Sequence, residues 1–517
     1  MNTRMKNKLL FWQTSDWFNY NLGYSLQNYN FKIYSIIDTV RKPKKFFEHQ
    51  KFVNYEKIWF FHDVIKKKIQ YDLDYLEKFE SKYKIDLWLL AVNERIFYKF
   101  NPFYKFSTDE ILSIIEQECK FFESVIDEIN PDYLIISLTW QHQAELLRLI
   151  CKAKGIKILM INTSELGGGT MNWTISEEFG INDFEKEHNL EKEHNLENSK
   201  ITFEELRNYL EKWKNNANIK KISGDVEAEK KSQRFLAGLS VLSSNNVNEK
   251  THFSYYGRSK SKLIKTELIE EINTKKRKSF IDKNFQKTFN KNEKFIFFPL
   301  HQEQERALLI SAPFFTNQIE TIRHVVKSMP IGYKLFVKEH PVMKLRGWRE
   351  ISEYQEIMNI PNVLMIHPEV ESLKLIKDCN LVISINSTAC FEALFYNKPS
   401  INFQRRGYSE ITSSFVVGEL NDLPKLIRHA LKIQVNPSEI YNYIQKISEN
   451  LFNFDYLGFK KSYDKILHAN GNLVDITIHD EDMKKFLDMH KKEFDNLSLE
   501  YIKKINQHEQ NCKRSIS

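Results

Sequence analysis

The stretch VISINSTACFEAL, Val382 to Leu394, decides how the chain is read. Val382–Ile385 has strand character, and it passes through Asn386, Ser387 and Thr388 straight into an apolar, helix-forming run. Any of these three small polar residues can cap the helix. Several backbone N–H groups are then left at the strand end, where the helix dipole favours an anion such as a nucleotide phosphate. The same residues can equally be no more than a helix cap, so the reading depends on what surrounds them.

The stretch lies inside a run of strand and helix patterns. KFIFFPL, a helix over Asn317–Met329, KLFVKEHP, NVLMIHP, a helix over Glu371–Cys379, LVISI, a helix over Ser387–Tyr396 and PSINF follow one another in little more than a hundred residues. An earlier alternation runs through KLLFW, KIYSII, a long helix over Ile111–Ile129, YLIISL, a helix from about Gln143 to Ala153, and KILMIN. Alternation of this kind predicts parallel sheets covered by helices. Between the two lies charged, helical material with a loop-like centre, and the last eighty residues read as helical without strand runs. The expected domains are therefore 1–197, an N-terminal Rossmann-like unit; 198–291, a charged helical linker or insertion; 292–435, a C-terminal Rossmann-like unit; and 436–517, a helical segment. Ligands of open parallel sheets bind beyond the carboxyl ends of the strands, which makes the cleft between two such halves the place for chemistry.

Composition narrows the class. A chain of 517 residues, 42 % hydrophobic, is long for one core and suits two or three globular domains. Its 76 Lys and Arg against 68 Asp and Glu leave a net charge of +8 with no concentrated tail. That balance does not imply nucleic acid, and a face toward anionic lipid or a phosphorylated ligand fits it. Cys119, Cys151, Cys379, Cys390 and Cys512 form neither CxxC pairs nor zinc-finger spacings, so a reducing cytoplasm is expected and no metal. The apolar run after the basic N-terminus is too short for a signal core, and no stretch approaches a membrane span, which leaves peripheral contact with the cytoplasmic membrane face.

Three constellations carry candidate chemistry. In KLFVKEHP, Lys338 and His340 are expected on one side of an extended strand and Glu339 on the other, with Pro341 stopping the strand. A cation and an imidazole at one strand end can bind a phosphate, and His340 can protonate a departing one. In INTSELGGGTMNWTISEEFGIN, KILMIN delivers Ser164 and Glu165 to its tip, followed by Gly167, Gly168 and Gly169, which permit close backbone approach. Glu165 is placed to act as a general base or nucleophile. The third constellation is Asn386-Ser387-Thr388 itself. Asp72 and Asp74 read as a solvated helix face, Asp480–Asp482 as a helix start, the basic residues of 257–278 as a solvated linker, and the tandem hexad at 185–196 as a surface duplication.

Taken in order, SELGGGTMNWTISEEFGIN, FFPLHQEQE, VKEHP and ISINSTACFEALFYNKPSINF resemble the motifs of the capsule polysaccharide biosynthesis family that includes the Kdo transferases. The resemblance covers roughly 132–182 and 294–403. It implies a GT-B glycosyltransferase: two Rossmann-like domains facing across a cleft, with a helical insertion and a helical C-terminal segment, and with donor nucleotide held mainly by the C-terminal domain. Carried over by position, Lys338 and His340 meet a CMP phosphate, Asn386, Ser387 and Thr388 complete its cradle, and Glu392 either reaches the ribose hydroxyls or is simply a helix surface residue. Glu165 becomes the catalytic carboxylate with His340 opposite, and Gly167, Trp173, Glu177 and Asn182 shape the acceptor side. His301 stands where the family carries glutamine, with Gln302 one residue later, and Asn397 replaces the glycine before Lys398-Pro399.

The expected activity is transfer of an acidic ulosonic sugar such as Kdo from a CMP-sugar to a glycan or glycolipid acceptor during capsule or surface polysaccharide assembly. No metal is called for, and the nucleotide sugar takes the place of a cofactor. The assembly machinery is an expected partner. Three alternatives remain: a UDP- or GDP-sugar transferase, a nucleotide-sugar epimerase, and a catalytically inactive assembly protein.

Overall fold

The structure, a computed structural model, describes residues 7–166, 172–178, 201–216, 252–290, 292–468 and 476–516. Contacts divide the chain into two units, one of residues 1–179, 216–262 and 451–517, the other of 180–215 and 263–450. The first unit holds β1 (Asn7–Gln13), β2 (Phe31–Ile37), β3 (Lys57–Phe60), β4 (Tyr133–Ile136), β5 (Lys157–Thr163) and β6 (Asn172–Ser176). The second holds β7 (Phe295–Pro299), β8 (Lys334–Lys338), β9 (Val363–Ile366), β10 (Leu381–Ser384), β11 (Ser400–Asn402) and β12 (Ser414–Val416). A last strand, β13 (Phe452–Asn453), belongs to the first unit.

In the second sheet all neighbours are parallel, in the order β12-β11-β10-β7-β8-β9. The chain starts at β7 in the middle, winds to one edge through β8 and β9, then returns to the other side of β7 through β10, β11 and β12. This is the doubly wound Rossmann order, with a topological switch point between β7 and β10. The sequence explains why the strands lie in the interior. Phe295–Phe298 and Leu381–Ile383 have no solvent exposure at all, as expected where helices cover both faces of a parallel sheet.

The first sheet repeats the scheme in the order β13-β6-β5-β4-β1-β2-β3, with β1 to β5 parallel and the switch point between β1 and β4. The two-unit Rossmann-like α/β class expected from the alternation is the one observed. One edge departs from it: β6 runs antiparallel to β5 and β13 antiparallel to β6. The C-terminal segment, read as helical throughout, therefore includes a strand. It is too short for an apolar run, because two backbone-paired residues suffice to extend an edge. The helix Asp480–Ile516 is not a separate body either, since Met483, Phe486, Leu487, Phe494 and Tyr501 join Leu9, Phe11 and Phe18 in one buried cluster.

Asn397 shows how a residue other than glycine is accommodated before Lys398-Pro399. It adopts φ 55°, in the left-handed region, where glycine is favoured and asparagine is the best tolerated of the residues with a Cβ. Its Oδ1 accepts a hydrogen bond from Val435 N at 3.1 Å. Asn397→Ala is expected to lose about 1–2 kcal/mol through the left-handed backbone and the lost acceptor. Asn397→Gly should lose less, because only the hydrogen bond goes. Denaturant midpoints of the two variants check the order.

Candidate functional site

The carboxyl ends of β7, β8 and β10 assemble a buried polar cluster at the switch point of the second sheet. His301, two residues past β7, is 5 % exposed. Its backbone N–H donates to Gln318 Oε1 at 2.7 Å, and Gln318 Nε2 returns a bond to its carbonyl at 3.1 Å. The Asn386 backbone N–H donates to His301 Nε2 at 3.1 Å, and Ser384 Oγ lies 3.0 Å from the same nitrogen. A backbone amide can only donate, so Nε2 is the acceptor and the neutral ring carries its proton on Nδ1. Burial, reinforced by the guanidinium charges of Arg349 and Arg406 and by any proton on neighbouring His340, pushes the ring pKa down to about 3 and keeps it neutral.

Lys338 ends β8 and is 3 % exposed. It makes no ion pair with any described residue. Burial lowers its pKa to about 8, against a smaller pull upward from Glu339. A buried cation without a protein partner is costly, and such sites are candidates for binding an anion.

Glu339 is fully committed elsewhere. Its Oε1 accepts from His340 N at 2.7 Å, and its Oε2 from Arg349 Nε at 2.7 Å and Tyr354 OH at 2.9 Å. Arg349 also pairs with Glu303 at 2.7 Å and donates to the His301 carbonyl. The strand ends at Lys338, so the expected alternation does not carry on to His340. That residue instead caps the 3-10 turn Pro341–Leu345, its Nδ1 accepting from Val342 N at 3.3 Å. The neutral ring therefore presents Nε2–H as its donor. Burial, with Lys338 and Arg349 nearby, lowers the His340 pKa despite the opposing pull of Glu339.

At the end of β10, Asn386 is spent on structure: its Nδ2 donates to the Ala307 carbonyl at 3.2 Å and its Oδ1 accepts from Arg406 Nη1 at 3.1 Å. Ser387 is the N-cap of the short helix Thr388–Leu394 and accepts from Ala389 N at 3.2 Å. Thr388 is exposed in the first turn, and Glu392 is half-buried one turn on. Gln302, with its amide oriented to suit both neighbours, donates to Glu305 Oε1 (2.9 Å) and accepts from Arg346 Nε (3.2 Å), which ties its loop to the end of the 3-10 turn Pro341–Leu345.

In the first unit, Glu165 occupies the turn after β5 beside Ser164, whose Oγ accepts from Leu166 N at 3.0 Å. The expectation that Glu177 flanks it is corrected by the antiparallel β6. Register pairs Thr163 with Trp173 and Met160 with Ser176, and Glu177 bonds Lys157 at the amino end of β5 at 3.0 Å. Glu165 and Glu177 thus lie at opposite ends of one hairpin, several residues of roughly 3.3 Å rise apart. Trp173 is buried in the core, donating to the Phe454 carbonyl at 3.0 Å. Gly167 and Asn182 lie outside the described residues, as does the hexad at 185–196. Asp72 caps the helix Leu73–Tyr83 through a 3.0 Å bond from Tyr75 N, and Asp480–Asp482 begin a helix. Among the described residues there is no cluster of metal-ligating side chains, and no helix is long and apolar enough to cross a membrane.

The sequence pattern missed Arg349, Tyr354, Glu303 and Arg406. Glu339 was legible only as the residue facing away from Lys338 and His340, and its partner Arg349, ten residues on, lies in no periodic pattern.

Residues 218–411 match the family model described as capsule polysaccharide biosynthesis protein. Over that segment the family resemblance is borne out. No curated protein matches the chain. Among solved structures, UDP-GlcNAc 2-epimerase of Methanocaldococcus jannaschii is 13 % identical, over 86 % of this chain and 99 % of its own, with a TM-score of 0.24. KpsC of Thermosulfurimonas dismutans, a beta Kdo 2,7 transferase, is 10 % identical over 76 % and 96 %, with a TM-score of 0.29. The UDP-GlcNAc 2-epimerase of Neisseria meningitidis is 14 % identical over 86 % and 99 %, with a TM-score of 0.25. TM-scores this low carry no inference about this chain.

Glu339→Gln should destabilise the protein by about 3 kcal/mol, because it removes one carboxylate from a buried guanidinium that keeps Glu303. A fall in the thermal midpoint with the second unit's ligand absent checks it.

Proposed function

We propose that the chain is a glycosyltransferase of capsular or surface polysaccharide assembly, taking a CMP-activated acidic sugar such as Kdo and transferring it to a glycan or glycolipid. The observation that carries this reading is the unpaired, buried Lys338 beside His340 and the neutral His301, at the switch point of a Rossmann sheet whose segment matches the capsule family. Ligands of such sheets gather there. A nucleotide phosphate supplies the counter-charge that Lys338 lacks.

The chemistry is correspondingly modest. The bond between the anomeric carbon and the phosphate oxygen breaks, and its electron pair leaves with the nucleotide. Lys338 and the His340 Nε2–H stabilise that growing charge. The acceptor hydroxyl forms the new bond to the anomeric carbon, and Glu165 takes its proton or first forms a covalent intermediate that the hydroxyl then displaces. Ser387 and Thr388 border the phosphate and Glu392 the ribose. The scheme calls on no metal, and the proposed place of work is the cytoplasmic membrane face.

Thermal stabilisation by CMP, CDP, UDP and GDP tests the nucleotide. At a ligand concentration about a hundredfold above Kd, roughly 2.7 kcal/mol of stabilisation is expected from CMP, and its loss in His340→Ala. Stabilisation by UDP or GDP alone would replace CMP, and activity on a free nucleotide sugar without acceptor would favour an epimerase. Response to none of them would leave a non-catalytic assembly protein.

The Lys338 pKa adds a pH test. Its folded value lies below the 10.5 of an unfolded lysine, so burying the charge costs stability at neutral pH; that cost begins to shrink as pH rises through about 8 and is gone only above the unfolded value. Nucleotide binding runs the other way, because it needs the proton. CMP affinity should fall about tenfold per pH unit above that value and become flat in Lys338→Arg. Titration calorimetry across the range measures it.

A further inference from the structure

A second polar cavity, of about 390 Å³, lies at the carboxyl edge of the first sheet. Its walls come from the ends of β1 (Thr14, Ser15), β2 (Asp38, Thr39, Arg41) and β3 (His62), from Gln141 and Gln143 after β4, and from the segment His252–Arg258. It therefore occupies the switch point between β1 and β4, where open parallel sheets hold ligands.

Three buried polar atoms on its wall residues have no partner: His62 Nδ1, His252 Nε2 and Arg258 Nε. Buried polar groups are nearly always satisfied, so three around one cavity call for an explanation. The other edge of each imidazole is fixed. Asp38 Oδ1 lies 2.8 Å from His62 Nε2, and His252 Nδ1 accepts from Ser254 N at 3.2 Å. The two rings sit 3.8 Å apart, centroid to centroid.

The charge on the walls is positive. Arg41 and Arg258 flank the same Tyr255 ring, at 4.7 and 5.4 Å from its centroid. Burial and the neighbouring Arg41 lower the Arg258 pKa. Arg258 has no carboxylate partner among the described residues. Arg41 is held at φ 59°, a left-handed backbone that a residue with a Cβ adopts at a cost. Strain of this kind points to a placed guanidinium rather than to a surface one. Asp38, the one carboxylate on the wall, is occupied by His62. Behind Gln141 and Gln143, His142 is clamped between Glu94 (2.9 Å) and Glu118 (3.0 Å), which fixes the loop that presents both amides.

We propose that this cavity binds a sugar bearing a carboxylate or phosphate group, with Arg41 and Arg258 taking the anion and the Thr, Gln and Asp38–His62 groups taking the hydroxyls. The site belongs to the first unit alone and stands whether or not the second unit holds a nucleotide.

Calorimetry of the whole chain with glucuronic acid and with glucose 6-phosphate, against glucose and without nucleotide, tests it and separates the two anions. Saturable binding of at least one acidic sugar is expected, with glucose binding at least tenfold more weakly. Arg258→Gln should weaken the acidic sugar at least tenfold. Arg41→Gly guards against misfolding, since glycine relieves the left-handed backbone: its thermal midpoint should not fall, while its affinity drops at least tenfold. Binding of neither acidic sugar, glucose binding as tightly, or full affinity retained in both variants would overturn the proposal.

Discussion

The bond from the Asn386 amide to His301 Nε2 is the contact on which the second unit's site depends. At the switch point β7 and β10 are neighbours whose connections leave in opposite directions, and their pairing runs only through Phe297 and Val382, short of both carboxyl ends. His301 ties those ends together, by taking the amide from the β10 end while its backbone locks onto Gln318. The same bond settles the tautomer, and burial settles the charge. A protonated ring could not accept that amide, so the low pKa and the geometry require each other. The result is a preorganised neutral donor beside a cation, at no reorganisation cost when a ligand arrives.

A second constraint acts on the β8 side. Of three consecutive polar residues, Lys338, Glu339 and His340, the middle one is consumed by Arg349 and Tyr354. Arg349 in turn reaches the His301 carbonyl and Glu303, so one guanidinium ties the ends of β7 and β8 together. This also accounts for the cation left over. Were Glu339 turned toward Lys338, the lysine would be neutralised internally; the arginine claims the carboxylate and leaves Lys338 with its charge uncompensated. Buried networks of this kind are stable only when nearly every member is satisfied, which singles out the member that is not.

The second unit was largely legible because its strands are continuous apolar runs ending in polar residues, and both periodicity and boundary are local signals. Lys338, His340, Asn386 and Ser387 do fall at one edge of one sheet. What local pattern could not convey was which of them are spent on structure, since Asn386 and Gln302 are satisfied by Arg406 and Arg346, residues distant in sequence or outside any motif. The first unit was less legible for a sharper reason. Glu165 and Glu177 sit in one glycine-rich segment that reads as a single loop, but a two-residue edge strand near the C-terminus and an antiparallel β6 place them at opposite ends of a hairpin. Strand direction is a property of pairing, and sequence spacing does not carry it.

Both sheets have the same winding order, yet their switch points solve the polar-burial problem differently. In the second, most polar atoms are bonded, and what is left over is the Lys338 ammonium together with Arg406 Nε and Asn402 Nδ2. In the first, the segment His252–Arg258, which reads as a solvated linker by composition, folds over the strand ends and brings an imidazole and a guanidinium with unbonded nitrogens beside the unbonded Nδ1 of His62. Its charge pattern looked like solvation because basic residues in a polar stretch usually mean that. The aromatic residues interleaved with them, Phe253, Tyr255 and Tyr256, are what anchor the segment, since Phe253 and Tyr256 are buried against Phe106. A basic stretch that carries its own aromatic anchors has the means to pay the cost of burying its charges, and that cost is worth meeting only where something of opposite charge completes the site.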